Sequence, residues 1–236
     1  MATQAGSSGE GRIILQGAPA LQQMGWDTIL QEWSTLLDAY DHPAVTPRDV
    51  AYWYGASALS GLLAAATWRL RGEGARDLWA LEEFGEGIHH SKRGDMWLGM
   101  ESKSWTIKAT RDWVPWIEPP VQTWTRSTRD QTIDDIHAAL DRAFWEIRRL
   151  PSDYRDGVRM AVFYAVPGLS KRLPLERDHF IDQIFTEIPK ALADDHIITA
   201  AYRCRDDREL PVWPEEKAVD YIYPGVIFVG RVEGNQ

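Results

Sequence analysis

Asp95 stands at the head of a stretch of hairpin length, Gly94-Asp95-Met96-Trp97-Leu98-Gly99-Met100 followed by Ser104-Trp105-Thr106-Ile107-Lys108-Ala109-Thr110. A carboxylate at the start of a strand, set among basic side chains, suits chemistry on phosphate esters. Converging carboxylates hold a hard divalent cation, which activates water and stabilises charge on the phosphate. Between Lys92 and Arg111 five basic residues (Lys92, Arg93, Lys103, Lys108, Arg111) face two acidic ones (Asp95, Glu101), a local charge of +3 in a chain whose total is −9. Lys92, Arg93, Lys103 and Arg111 are therefore the candidate contacts to a nucleic-acid backbone, which is bound chiefly through Lys and Arg at its phosphates. The acidic total argues against indiscriminate nucleic-acid binding.

Other chemistry-bearing residues are fewer. Glu82 and Glu83 either present a carboxylate beside Asp95 from a preceding strand or stand as a solvated pair. His89 and His90 are adjacent, so their side chains diverge in extended chain, and they read as loop histidines without a third ligand. The pairs Arg148-Arg149 and Lys171-Arg172 read as solvated; the helix bearing the first also carries Asp134, Asp135, Asp141 and Glu146. There is no Gly-rich phosphate loop, no Gly-x-Ser-x-Gly elbow and no pair of histidines at helical metal-ligand spacing.

The hairpin can be given a register from its pattern. A tight turn at Ser102-Lys103 sets Asp95 opposite Thr110 and Trp97 opposite Lys108. One face then carries Met96, Leu98, Met100, Trp105, Ile107 and Ala109, all apolar. The other holds Asp95, Trp97, Gly99, Thr106, Lys108 and Thr110, as expected when one side packs on a core and the other lines a site.

Around the hairpin the periodicity predicts a helix over residues 19 to 40, and a second from a Thr46 N-cap with Pro47 at its first position to about residue 70. A strand is expected over 78 to 84, a helix over 132 to 150 and an inner strand over 159 to 166. A helix over 175 to 192, bent or ended near Pro189, and strands over 196 to 204 and 226 to 232 complete the chain. This order describes an α/β or α+β fold, a single mixed β-sheet flanked by helices. Residues 1 to 18 are expected as a disordered tail. Residues 19 to 236 then form one domain: a helical part (19–72), a core (73–166) and a C-terminal helix with strands (167–236).

The 236 residues suffice for one large domain. The single cysteine, Cys204, excludes an internal disulfide framework and leaves no zinc ligand set, which points to a reducing, cytoplasmic setting. The apolar run at 56 to 68 is too short and too mixed to span a bilayer, so no membrane role is expected. Twelve tryptophans exceed average usage severalfold. Stacking on bases is one use for them; packing between helices and sheet is the reading preferred here.

Helix, strand, a hairpin with Asp at the start of its first strand and a charged residue near the end of its second, then helix and buried strand: this order resembles the PD-(D/E)xK nuclease superfamily. The resemblance covers residues 47 to 166 and implies a restriction-endonuclease-like core. The superfamily's motif is an Asp, a variable stretch, then Glu-x-Lys. In this chain Asp95 is followed by twelve residues and then Lys108-Ala109-Thr110. The motif positions are thus Asp95, Lys108 and Thr110, with Glu83 a further catalytic candidate and Asp95 and Glu82 the metal ligands if the site is active. Lys108 puts a positive charge where the cation belongs and can satisfy Asp95 without metal, while Thr110 cannot act as the missing ammonium. Glu101-Ser102-Lys103 is itself a Glu-x-Lys, but along one strand Glu101 would lie about 20 Å from Asp95 at roughly 3.3 Å per residue, too far for one ion.

The resemblance therefore implies a nuclease-like domain with a degenerate metal site, acting as a binding or regulatory module for DNA, RNA or a protein partner, with no cofactor. One alternative is an active Mg²⁺-dependent nuclease using Asp95 and nearby carboxylates; another is an acidic interaction or immunity-type protein.

Overall fold

Strands whose residues are apolar without alternation must be buried on both sides, and β6 (Val158–Ala165) is such a strand. Its Met160, Val162 and Tyr164 belong to one hydrophobic core, and its Ala161, Phe163 and Ala165 to a second. The computed structural model describes residues 12–40, 51–53, 55–74, 77–82, 95–100, 103–117, 124–150, 157–170, 177–204 and 221–233. Within them a seven-stranded mixed sheet runs in the order β1-β8-β10-β6-β4-β3-β2. The strands other than β6 are β1 (Arg12–Gly17), β2 (Trp79–Glu82), β3 (Met96–Met100), β4 (Lys103–Asp112), β8 (Ile197–Arg203) and β10 (Gly225–Val232). A small second sheet joins β5 (Trp116–Ile117), β7 (Gly168–Ser170) and β9 (Tyr221–Ile222).

The first core packs α2 (Asp27–Tyr40) and α3 (Ala56–Gly72) on one sheet face; the second packs α4 (Arg126–Ile147) and α5 (Arg177–Ala191) on the other. The architecture is therefore a mixed sheet between two helical layers, the α/β arrangement expected. Adjacent strands of the seven-stranded sheet are antiparallel except β4 and β6, which run parallel with α4 as the crossover. No helix of the described residues is long and apolar enough to cross a membrane. Cys204, the chain's one cysteine, is buried.

Large aromatics fill the first core. Trp33 stacks on Tyr164 at 6.0 Å, and Trp26 meets Trp105 edge-on at 5.3 Å. For these tryptophans the packing role holds, whereas Trp68 and Trp145 are exposed.

Several boundaries differ from the sequence expectations. Residues 12–17, expected within the tail, form the edge strand β1, antiparallel to β8. The helix over 19 to 40 is interrupted: after α1 (Pro19–Leu21) comes a π-helical turn at Gln22–Trp26, with Gly25 at φ +89°. A left-handed residue cannot continue an α-helix, and glycine adopts it without steric penalty. The second helix starts only at Ala56, after Gly55 at φ +96°, and Ala51–Trp53 form a separate 3₁₀ turn. Its expected cap at Thr46 and Pro47 lies outside the described residues. Helix α4 begins at Arg126, earlier than expected, because Thr125 caps it by accepting a hydrogen bond from Thr128 N at 3.2 Å.

The hairpin keeps its predicted faces but not its register. Met96 pairs with Ile107 and Met100 with Lys103, which puts Lys108 rather than Thr110 in line with Asp95 and the turn one residue earlier than expected. Side-chain direction has a period of two, so a shift that moves every partner by two residues leaves each side chain on its face. Alternation alone cannot separate the two registers.

The pairing of β2 with β3 fixes the other side of the hairpin. Trp79 pairs with Gly99, crosses over it and meets Trp97 edge-on at 5.1 Å. A Cβ at Gly99 would lie 1.9 Å from the Trp79 indole nitrogen. Gly99→Ala should therefore destabilise the protein by about 1–3 kcal/mol in urea unfolding, and Trp79→Ala in the same chain should recover part of that loss. A neutral Gly99→Ala would refute this packing.

Candidate functional site

Strand β4 runs past the start of β3, so beyond Ile107 its backbone groups on that side have no strand to pair with among the described residues. Asp95 fills the gap. Its N–H donates to Ile107 O at 3.1 Å, and its Oδ2 accepts from Ala109 N at 2.6 Å. The carboxylate thus continues the ladder with a side chain in place of a backbone carbonyl.

The other oxygen, Oδ1, accepts from Lys108 Nζ at 2.9 Å. From above, α4 brings Glu146, whose Oε2 lies 3.4 Å from the same ammonium. Lys108 is held between two carboxylates, on the sheet face that α4 covers. Burial pushes the Asp95 carboxyl up from its ordinary 3.8, against the lowering effects of Lys108 and of the Ala109 N–H. For Lys108, burial alone would lower the pKa from 10.5, but the bond and charge of Asp95 and the charge of Glu146 outweigh it, and the net direction is up. Both directions describe an ion pair kept partly out of water, with the lysine protonated.

A magnesium ion does not fit this arrangement. The coordinating position beside Asp95 is taken by an ammonium hydrogen-bonded to it, and bringing a divalent cation there sets like charges against each other in a partly desolvated site. Among the described residues no group of three or more His, Cys, Asp or Glu is placed to hold a metal ion.

The other sequence-derived candidates are dispersed. Glu82 pairs opposite Met96 and so shares its face, toward α3, where a Cβ at Gly61 would lie 3.5 Å from Glu82 Oε2. Asp95 precedes Met96 and faces α4, so the two carboxylates sit on opposite sides of the sheet. Thr110 lies two residues beyond Lys108, its buried hydroxyl without a hydrogen-bond partner among the described residues. Lys103 opens β4 and Arg111 nearly closes it, about 26 Å apart at roughly 3.3 Å per residue. Arg111 is half-buried: its Nε donates to Tyr52 O at 3.1 Å and its guanidinium lies 3.6 Å from the Trp113 ring centroid. Burial lowers its pKa below the ordinary arginine range. Glu83, His89, His90, Lys92, Arg93, Glu101, Lys171 and Arg172 lie outside the described residues.

Glu146 is the member that sequence reasoning passed over, as one more acid on a solvated helix face. The signal lay in its position: it follows the buried Ala143 by three residues and precedes the buried Ile147, at the edge of the stripe that packs on the sheet.

Lys108→Met should cost about 2–3 kcal/mol at pH 7, below the usual range for breaking a buried pair because the cluster is partly exposed. Urea unfolding at pH 7 and near pH 4 checks this, and the cost should shrink at the lower pH as the abandoned Asp95 carboxyl, its pKa raised by burial, takes up a proton. In the parent chain, the contribution of Lys108 should be complete below pH 10.5 and fall away as pH rises through its raised pKa. Asp95→Ala should destabilise more than Asp95→Asn, whose amide oxygen can still accept from Ala109 N.

No family model, curated protein or solved structure matches this chain.

Proposed function

We propose that this chain is a non-catalytic binding module on a nuclease-like frame, in which a lysine ammonium has taken the place of the divalent cation. The observation that carries this reading is Lys108 Nζ, 2.9 Å from Asp95 and 3.4 Å from Glu146. It is supported by the succession of α3, β2, the β3–β4 hairpin, α4 and the inner strand β6, with Asp95 at the head of the hairpin. In this reading Asp95 and Lys108 maintain the strand ladder, and the role left to the domain is recognition.

A protein partner fits the surface better than a nucleic acid. The chain is acidic, at −9, and its described basic candidates Lys103 and Arg111 sit at opposite ends of β4, with Arg111 engaged by Tyr52 and Trp113. A phosphate backbone is bound by several cations acting together. The exposed Trp68, Leu81 and Trp145 supply apolar side chains of the kind that anchor protein contacts.

The reading is tested by reversing it. The purified parent should neither cleave DNA or RNA with Mg²⁺ or Mn²⁺ nor bind Mn²⁺ by calorimetry. Lys108→Glu combined with Thr110→Lys restores the Asp, Glu-x-Lys pattern and should create measurable Mn²⁺ binding that Asp95→Ala removes. Divalent-dependent cleavage by the parent, abolished by Asp95→Ala, would overturn the proposal in favour of an active enzyme.

A further inference from the structure

At the lower end of the sheet, the strand ends and the N-terminal helical segment enclose a cleft of about 660 Å³. This volume lies within the range of small-molecule sites. We infer that the cleft binds a small carboxylate with an apolar body, its acid group on Lys103 and its body against the floor between the sheet and the π-helical turn.

The floor follows from strand parity. Trp105 and Val158 belong to, or pack against, the same core as α2 and α3, as does Val232, so all three face the N-terminal segment. That segment contributes Leu21 and Met24 to the opposite wall. The π-helical turn, with its left-handed Gly25, positions this wall: it carries Met24 to the cleft while Trp26 remains in the core against Trp105.

The charge follows from the same parity. Lys103 precedes Trp105 by two residues and shares its face. Among the described residues no carboxylate pairs with its ammonium; its contact is the Met24 sulfur at 3.9 Å. Of the two acids in the lining, Glu233 is engaged by Arg148 at 2.8 Å and Arg159 at 2.7 Å. Asp195 lies beside β8, three strands away from β4, about 14 Å at roughly 4.8 Å per strand. Trp105 adds a second observation. It lines the cleft, is 1 % exposed, and its indole nitrogen has no acceptor among the described residues, a donor that a ligand oxygen reaching it would satisfy. Arg159, the other cation of the lining, is held by Glu233, so Lys103 is the charge that the cleft offers over its apolar floor, which matches a monocarboxylate better than a polyanion that would need several cations.

Calorimetric titration of the full chain with indole-3-butyrate and with its neutral primary amide tests this. The carboxylate should bind one-to-one and at least about tenfold more tightly than the amide. Lys103→Gln, at an exposed position, should bring the carboxylate down to the amide's affinity. Ala20→Trp, also at an exposed position on the lining, should weaken both probes by about tenfold or more by occupying the cleft. Circular dichroism and thermal melting should show both variants folded as the parent is. Absence of saturable binding of either probe at millimolar concentration would overturn the inference. A carboxylate preference that survives Lys103→Gln, or binding untouched by Ala20→Trp, would do the same.

Discussion

The parallel contact between β4 and β6 is the constraint from which the rest of this fold follows. Two parallel neighbours need a crossover, and here it is the long helix α4, which must lie across the face it connects. That placement buries the second face of β6 and brings Glu146 over Lys108. Because β4 stays paired with β6 as far as Asp112 while β3 begins only at Met96, part of one β4 edge outruns its antiparallel partner. The Asp95 carboxylate meets the need that this mismatch creates, and Lys108 compensates the charge that the carboxylate brings. The cluster is thus as much a product of strand geometry as of any reaction.

Much of the fold was readable because it depends on periodicity. The apolar run through β6, the stripe along α4 and the two faces of the hairpin all follow from burial on one side or both. What could not be read depends on single residues whose effect is conformational. Gly25 inserts a π turn into a stretch that is helical by pattern, and Gly55 delays α3 until Ala56. The hairpin register escaped for a different reason: both pairings give the same faces, so the hydrophobic pattern carries no information about which is adopted. Strand β1 escaped because the polar, glycine-rich segment before it set the expectation for the whole N-terminus.

The candidate site was legible in part. Asp95 and Lys108 were recognisable as partners from their places on one face, and the structure joins them directly. Glu146, far away in sequence, comes to the pair only through the crossover, which no local pattern encodes. Glu82 shows the reverse. It is close to Asp95 along and across the strands, yet the alternation of β2 turns it to the other side of the sheet. Proximity in a sheet is a statement about faces as well as distances.

The position of β1 has a bearing on how the chain is made. Arg12 pairs with Arg203 and Gly17 with Ile198, so β1 leaves the ribosome long before the partner on which it docks. Nor is β8 itself secured until β10 settles between it and β6. During synthesis the β1 segment must therefore wait with its backbone groups in water until β8 and β10 have appeared, and the sheet closes only then. The order of synthesis and the order of the sheet run against one another, and an N-terminal half made alone would lack the strand on which its first element docks.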